Sequence, residues 1–275
     1  MAFGDLTRVN TNIQSMQSLL ELQKSNADLG SRQLRLATGK RINRAEDDSA
    51  GFSISMKLES RVRGQAQALA NIGDAKAMLS VAEGGLTTIQ EILFTMKEKV
   101  IQGANDTLGS FERRLVDNQL NALSTEINSI ISSSTFNGVT VFSSGAFNFQ
   151  VGASDSDTFA VTVGAISTGA LSVGSTSLDV TSSASANASL TNIDSAINTI
   201  ASTLGTLGDN QKALSFKEEN LNINMINQEA ARSRILDADF AKEQIEIVKL
   251  QILQQTGVAA ISQANLAPQV VLSLL

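Results

Sequence analysis

The side chains best able to support chemistry are concentrated in an acidic run, residues 46–48, which reads Glu-Asp-Asp. Neighbouring carboxylates supply the oxygen ligands that divalent cations prefer. Arg41 and Arg44 lie beside this run, and acids in such a setting usually form an ion-paired turn or a helix cap. We therefore interpret the run as a turn that leads into a helix capped by Asp48 or Ser49, and we expect no metal or cofactor.

Composition removes most other catalytic sites. The chain contains no Cys and no His, which excludes a thiol nucleophile, a histidine-based triad and the usual zinc sites. Its formal net charge is -6, whereas binding to nucleic acid requires a basic patch. We expect a protein that is not an enzyme and has no nucleic-acid partner.

The sequence ends on an uncharged stretch, residues 250–275. Gln and Asn side chains are spread through it, and each unsatisfied amide would be costly in hydrocarbon. Lys, Arg and Trp, which anchor a helix at a membrane surface, are absent from it. The beginning of the sequence lacks the basic and apolar regions of a secretory signal. We therefore expect neither a membrane span nor a cleaved signal peptide.

Apolar residues near both ends recur at alternating spacings of three and four. This spacing is typical of a coiled-coil seam, although amphipathic helices on a globular core also produce it. Two helical arms of this kind bury too little apolar surface to offset the entropy lost on ordering them, so we expect them to dock on a larger domain or on other copies of the chain. The stripe residues are Leu6, Val9, Ile13, Met16 and Leu20 in the first arm, and Ile245, Val248, Ile252, Ala259 and Leu266 in the last, where Gln255 and Ser262 occupy the intervening positions.

The middle of the chain combines helical and strand-like patterns. Two helices are predicted within residues 69–132, and alternating apolar residues then predict short strands up to about residue 163, with an Asn-Gly turn signal at Asn137. Residues 164–190 are rich in Ser, Thr, Ala and Gly and read as edge strands or as a low-complexity linker, before helix resumes near Ile193. The predicted fold class is mainly α, with long antiparallel helical arms forming a terminal coiled coil, a helical rod and a small central β-hairpin region.

Several motifs resemble bacterial flagellin, the subunit of the flagellar filament. They are LATGKRINRAEDDSAGFSIS at 36–55, FNGVTVF at 136–142, FQVGASDSDT at 149–158, ARSRILDADFAKE at 231–243 and QILQQTGVAAISQANLAPQVVLSLL at 251–275. The resemblance covers about residues 1–163 and 191–275. It indicates a short form that lacks the large outer domains of long flagellins.

This resemblance implies a structural subunit that polymerises into the hollow helical filament of the bacterial flagellum, the propeller in motility. Residues 1–42 with 235–275 would form a discontinuous inner coiled-coil domain, and residues 43–234 an outer helical rod with a β-rich segment at about 137–190. The implied partners are other copies of the chain, the type III flagellar export machinery with a secretion chaperone, and the hook-associated junction and cap proteins. The implied location is extracellular, reached without a cleaved signal.

The resemblance also implies which residues act in assembly. A polymerisation seam would comprise the stripe residues above together with Val270, Val271, Leu272, Leu274 and Leu275. Contacts between subunits at the spoke, the connection between inner and outer domains, would involve Arg41, Asn43, Asp47, Asp48, Arg232, Arg234, Asp237 and Asp239.

Many flagellins carry an Arg-rich segment on the second helix that an animal Toll-like receptor recognises. The aligned segment here has Thr95 and Lys97 in place of the two arginines, keeps an acid at Glu98, and has Lys99 in place of a leucine. Lys does not reproduce the bidentate geometry of Arg. We therefore expect this segment to be a poor receptor ligand.

Two other functions compete with the flagellin interpretation. The hook–filament junction protein resembles flagellin at both ends, but its middle generally diverges, whereas FNGVTVF and FQVGA here resemble flagellin itself. A coiled-coil signalling module, the less favoured alternative, has no use for an uncharged tail. The filament subunit is therefore the preferred interpretation.

Overall fold

The structure is a computed structural model that describes the backbone of residues 11–143 and 145–272 and the side chains of residues 11–143 and 145–266. The described chain contains five helices and two small antiparallel sheets, so the predicted mainly α fold with a small β region is confirmed. The elements are α1 (Ile13–Thr38), α2 (Ser49–Gly103), α3 (Ser110–Ser133), β1 (Thr135–Phe136), β2 (Val139–Thr140), β3 (Ala146–Gln150), β4 (Thr158–Thr162), α4 (Ser183–Leu236) and α5 (Phe240–Leu272).

The helix ends follow from local hydrogen bonding. The Asn12 side chain accepts from the backbone N–H of Ser15 at 3.0 Å and caps α1, which ends at Gly39 in the left-handed conformation, with φ of 69°. The Asp48 carboxylate accepts from the N–H of Gly51 at 2.9 Å, which confirms the predicted cap of the second helix. Such caps satisfy amide groups that have no partner inside the helix.

The chain divides into two compact units: unit 1 comprises residues 1–60 and 227–275, and unit 2 comprises residues 61–226. This division reflects compactness within one chain. The predicted domains, residues 1–42 with 235–275 and residues 43–234, refer instead to the layers of a filament, and they stay a prediction.

Unit 2 is built on the antiparallel parts of α2 and α4. Their apolar residues recur every three and four positions and are buried, as the sequence pattern predicts, including Ile72, Leu79, Leu86, Leu93, Val100, Ile193, Ile200, Leu207 and Leu214. Polar pairs flank this core, with Lys97 Nζ 2.7 Å from Asp194 and Gln211 donating to Glu83 at 2.9 Å. The α2 helix continues through Gly85, where a Cβ would lie only 2.8 Å from the Ser134 hydroxyl and 3.0 Å from the Phe142 ring, so glycine permits this close packing.

Two hairpins form the β region. The first turns at Asn137 and Gly138, which both have positive φ (49° and 77°), as the Asn-Gly signal predicts. The second pairs Ala146 with Thr162 through Gln150 with Thr158. Asn71 on α2 donates to the Gln150 carbonyl at 3.0 Å and ties this hairpin to the helical core.

The segment after the hairpins corrects the sequence-based expectation. No strand continues beyond Thr162 among the described residues, and residues 163–182 form neither edge strands nor a linker, because their aliphatic side chains are buried. Helix α4 begins at Ser183 rather than near Ile193, because the Ser182 hydroxyl accepts from the Ser185 N–H at 3.1 Å and Ala186 is buried in the core. The buried residues of the segment are Val163, Ile166, Leu171, Val173, Leu178 and Val180.

Unit 1 contains α1 and α5, called here the arm pair. The two helices pack antiparallel, since the Asn12 amide donates to the Ala264 carbonyl at 2.8 Å while Arg32, near the other end of α1, contacts Glu243 near the start of α5. No described residue of α1 is fully buried. None of the described helices is long and apolar enough to cross a membrane.

Candidate functional site

The contact between the arms uses one stripe on each helix, called here the contact stripe. Its members are at least partly buried and recur every three and four residues, as expected for a coiled coil. Close packing is possible at Gly257, where a Cβ would lie 3.3 Å from Leu22 Cδ1. The contact stripe consists of Ser15, Ser18, Leu22, Ser25, Leu29, Arg32 and Leu36 on α1, and of Glu243, Ile247, Leu250, Gln254, Gly257, Ile261 and Ala264 on α5.

The apolar stripe that the sequence singles out lies on the opposite side of each helix. It is displaced by two residues from the contact stripe, which is about 200° around the helix axis. Its residues face away from the partner arm, so the exposed stripe does not form the contact between the two arms of one chain. This exposed stripe comprises Ile13, Met16 and Leu20 on α1, between 50% and 64% exposed, and Ile245, Val248, Ile252, Ala259 and Leu266 on α5, where the large side chains are between 45% and 68% exposed.

The remaining predicted seam residues lie outside the residues whose side chains are described. They are Leu6, Val9, Val270, Val271, Leu272, Leu274 and Leu275. Whether the seam acts in polymerisation is a property of several chains, so the whole seam stays a prediction.

Most of the predicted spoke residues meet at a joint where two loops touch. Arg41 N–H donates to the Leu236 carbonyl at 2.6 Å and the Ala238 N–H to the Gly39 carbonyl at 2.9 Å, forming an isolated antiparallel bridge around Asp237. The Arg41 guanidinium also donates to the Ile235 carbonyl at 2.8 Å. These bonds hold the end of α1 beside the start of α5.

The acidic run at 46–48 is absorbed by local contacts, as predicted. Asp47 accepts from the N–H groups of Asn43 and Arg44 at 2.9 and 3.0 Å, and these bonds, first that of Arg44, lower the pKa of its carboxyl group. Glu46 pairs with the Arg44 guanidinium at 3.0 Å, and Asp48 lies 3.8 Å from Arg41. No group of three or more acidic residues in the described chain is arranged to hold a metal ion.

The other spoke residues line the end of α4 and the start of α5. Arg232 lies 3.6 Å from Glu59, and its hydrogen bond to Glu229 raises its pKa. Asp237 accepts from the Ser233 hydroxyl at 2.7 Å. Asp239 caps α5 by accepting from the N–H of Ala241 at 3.0 Å, and Arg234 is exposed in the last turn of α4.

Sequence reasoning missed one ion pair in the arm contact, in which the carboxylate is buried and the arginines are partly buried. Arg32 Nη1 lies 3.0 and 2.8 Å from the two carboxylate oxygens of Glu243, and this bond raises the pKa of Arg32. The Arg35 guanidinium lies 3.7 Å from the same Glu243 carboxylate. It also lies 3.9 Å from the Asp47 carboxylate. Glu243 is only 5% exposed. The signal was available, because Glu243 lies three-four spaced with Ile247 and Leu250 on a second stripe of α5. Considering every stripe with this spacing, rather than only the most apolar stripe, would have made Glu243 a candidate for the helix contact.

The aligned receptor segment lies on α2. Thr95 is exposed and its hydroxyl donates to the Glu91 carbonyl at 3.1 Å. Lys97 is engaged by Asp194, Glu98 is exposed and Lys99 is half-buried. The face therefore presents a short hydroxyl and an acid, with both lysines partly covered.

Comparisons with known proteins cover nearly the whole chain. Residues 9–146 match the family model for the bacterial flagellin N-terminal helical region, and residues 190–275 match that for the C-terminal helical region. Flagellin FlaB1 of Treponema pallidum is 31% identical over 97% of this chain and 99% of the relative. Flagellin of Bacillus subtilis is 33% identical over 98% of this chain and 99% of the relative.

A solved structure shares the fold. The structure of a flagellar hook-associated protein from Vibrio parahaemolyticus superposes with a TM-score of 0.55 at 18% sequence identity, covering 70% of this chain and all of that one. At this level of identity the likeness concerns the fold alone.

Proposed function

Because this chain belongs to the bacterial flagellin family, we propose that it polymerises through the exposed stripes of its arm pair into a hollow helical filament. The chain is a structural subunit of a flagellar filament. Two relatives named flagellin align with this chain over nearly their whole length. This is expected for a short form without large outer domains.

The exposed stripes carry the proposal for how subunits join. The four large aliphatic residues of the exposed stripe on α5, Ile245, Val248, Ile252 and Leu266, are each at least 45% exposed. A soluble subunit gains by burying such a continuous apolar face against another copy. The stripes lie on the outer faces of the arm pair, so contacts of this kind join one chain to the next rather than closing one chain on itself.

The uncharged tail fits the same proposal. Residues 250–275 carry no charge, and they would lie among neighbouring subunits beside a central channel, with residues 1–42 and 235–275 as the inner layer. Neutral Gln and Asn side chains would line that channel without presenting fixed charges to chains that pass through it.

Partners and location follow from the family. The flagellin family is a structural protein family, and we propose that this member performs no catalysis. Its partners would be the type III export machinery, a secretion chaperone and the hook-associated junction and cap proteins, and its location extracellular. The spoke residues, Arg41, Asn43, Asp47, Asp48, Arg232, Arg234, Asp237 and Asp239, would contact neighbouring subunits around the joint.

Seeded assembly tests the proposal directly. Purified protein is mixed with short filament seeds or brought to high salt, and the product is imaged by negative stain. Hollow filaments that lengthen with added subunit are the expected result. Soluble protein that leaves the seeds unchanged under all these conditions would refute polymerisation by this chain alone.

A further inference from the structure

The arm pair buries the less apolar of two stripes on α5. Both stripes have the same alternating spacing, so either could form a coiled-coil contact. The contact stripe offers three large aliphatic side chains and one carboxylate, whereas the exposed stripe offers four large aliphatic side chains and no charge. Burial of apolar surface alone would therefore favour the opposite orientation. The aliphatic residues compared are Ile247, Leu250 and Ile261 with Ile245, Val248, Ile252 and Leu266.

A similar inversion occurs only in the first half of α1, since its contact stripe goes on to Leu22, Leu29 and Leu36. Its contact stripe begins with serine at positions 15 and 18, while Ile13, Met16 and Leu20 on the opposite face are exposed. Some polar interaction must therefore favour this orientation of the pair over the more apolar one.

The Glu243 ion pair supplies that interaction. Glu243 is held by both oxygens on Arg32 and lies within 3.7 Å of Arg35. Turning α5 by about 200° would bring Ile245 toward the two guanidinium groups and carry Glu243 away from them. The Arg32 and Arg35 side chains, 29% and 22% exposed, would then stay partly buried without a carboxylate partner, which is destabilising, and the Nε of Arg35 is already buried without a hydrogen bond.

We propose that Glu243, through Arg32 and Arg35, is a positioning residue that selects which face of α5 packs on α1 and so keeps the exposed stripe free for other copies. The inference rests on the proposed function, in which that stripe is the assembly surface. Without the ion pair, α5 turns its most apolar stripe toward α1. A subunit folded in that way hides the surface through which it joins the filament.

Two disulfide reporters distinguish the two orientations. The natural chain has no Cys, so an introduced pair can form only one intramolecular bond. A Cβ at Gly257 would lie 3.9 Å from Leu22 Cβ, within the range of about 3.5–4.5 Å that disulfides require. Leu22→Cys with Gly257→Cys therefore reports the observed face. Leu22→Cys with Ala259→Cys reports the turned face, because Ala259 lies on the exposed stripe.

The measurement is the ratio of the two disulfide yields for full-length, unassembled chain in a glutathione redox buffer. Non-reducing electrophoresis separates the intramolecular product from dimers, and peptide mapping identifies the bond. If α1 and α5 separate and pack again quickly, each disulfide still forms in proportion to the time that the arm pair spends in the corresponding orientation. In the otherwise natural chain, the Gly257 reporter should exceed the Ala259 reporter by about tenfold or more.

The Glu243→Gln variant should lower this ratio by about tenfold or more and raise the critical concentration for assembly. The Glu21→Gln variant is the matched control, because it removes the same charge from an exposed residue of α1 that pairs with Lys24 on the same helix. It should leave the ratio unchanged. Reversing the pair with Glu243→Arg, Arg32→Glu and Arg35→Gln should restore the ratio, which a mere packing role would not do.

An unchanged ratio in Glu243→Gln overturns the positioning role, and so does a reversed pair that fails to restore the ratio. Circular dichroism of each variant verifies that unit 2 is folded. Filament growth is scored separately on the natural chain. Absence of growth there contradicts the proposed function, whereas normal growth with an unchanged disulfide ratio contradicts the positioning role alone.

Discussion

Replacing Ile245 and Ile252 together by Ser tests the exposed stripe of α5 as the assembly surface. These side chains are 68% and 55% exposed in the single chain, so their loss should barely change the stability of the free subunit. Complete burial of an Ile side chain contributes about 1.5–3 kcal/mol. The area still to be covered on assembly then amounts to about 1–2 kcal/mol for each, or about 2–4 kcal/mol for both.

A loss of this size raises the critical concentration for assembly by about thirtyfold to several hundredfold, since each 1.4 kcal/mol or so changes an equilibrium constant tenfold. The assay incubates subunits with seeds until growth stops, sediments the filaments and measures the protein left in solution. Gln244→Ser with Gln251→Ser is the matched control. Both residues are exposed on the same helix with the same spacing, so this pair carries the helix-propensity cost of Ser without loss of apolar surface.

A critical concentration equal to that of the natural chain in the Ile245→Ser, Ile252→Ser variant would refute the assignment of this stripe to assembly. An equal rise in the control pair would show that helix propensity, rather than apolar contact, accounts for the effect.

Four further outcomes are expected. Deleting residues 250–275 should abolish polymerisation and leave the thermal unfolding of unit 2 unchanged, because the core of that unit lies within residues 61–226; normal filaments from the truncated chain would contradict this. Hydrogen exchange should protect α1 and α5 weakly in the monomer and strongly in the filament, as in folding coupled to binding; strong protection in the monomer would count against it. A receptor reporter assay should give a poor signal, weaker by about two to four powers of ten than for a flagellin with the Arg and Leu in place, and Thr95→Arg with Lys99→Leu should recover part of it, whereas a strong signal from the unaltered protein would show that other positions compensate. Because backbone hydrogen bonds lower the pKa of the Asp47 carboxyl group in the fold, the stability it contributes is complete above the unfolded pKa of about 3.9 and is lost as the pH falls through the lowered value; Asp47→Ala should therefore destabilise unit 1 at pH 7 and less so in acid, and a difference in urea unfolding that does not shrink as the pH falls would refute this reason.

Local signals in the sequence predict several helix ends, though not the start of α4, and they predict the core of unit 2 well. Asp48 caps α2 and Asn137 starts a hairpin turn, because caps and tight turns depend on a few neighbouring residues. The apolar periodicity of α2 and α4 identifies their buried faces, including Leu79 and Leu214. The pattern works there because the partner of each face belongs to the same chain.

Composition was a poor guide to the segment at 163–182. Its many small and hydroxylated residues suggested a linker or edge strands, yet Ile166, Val173 and Val180 are buried. A few well-placed aliphatic side chains are enough to dock an irregular segment on a neighbouring core, and their spacing follows that surface rather than any helical or strand period.

The arm pair shows most clearly what the sequence determines and what only the tertiary structure decides. The sequence by itself determines that α1 and α5 are helices with apolar stripes and that the tail is uncharged, because period and composition are properties of the chain alone. Only the tertiary structure decides which stripe faces the partner arm. The pattern marks Ile245 and Ile252, yet the contact uses Glu243 and Leu250. The physical reason is that a charge pair formed by residues distant in sequence outweighs the burial of one more aliphatic side chain, and the apolar stripe left exposed is available to other copies of the chain.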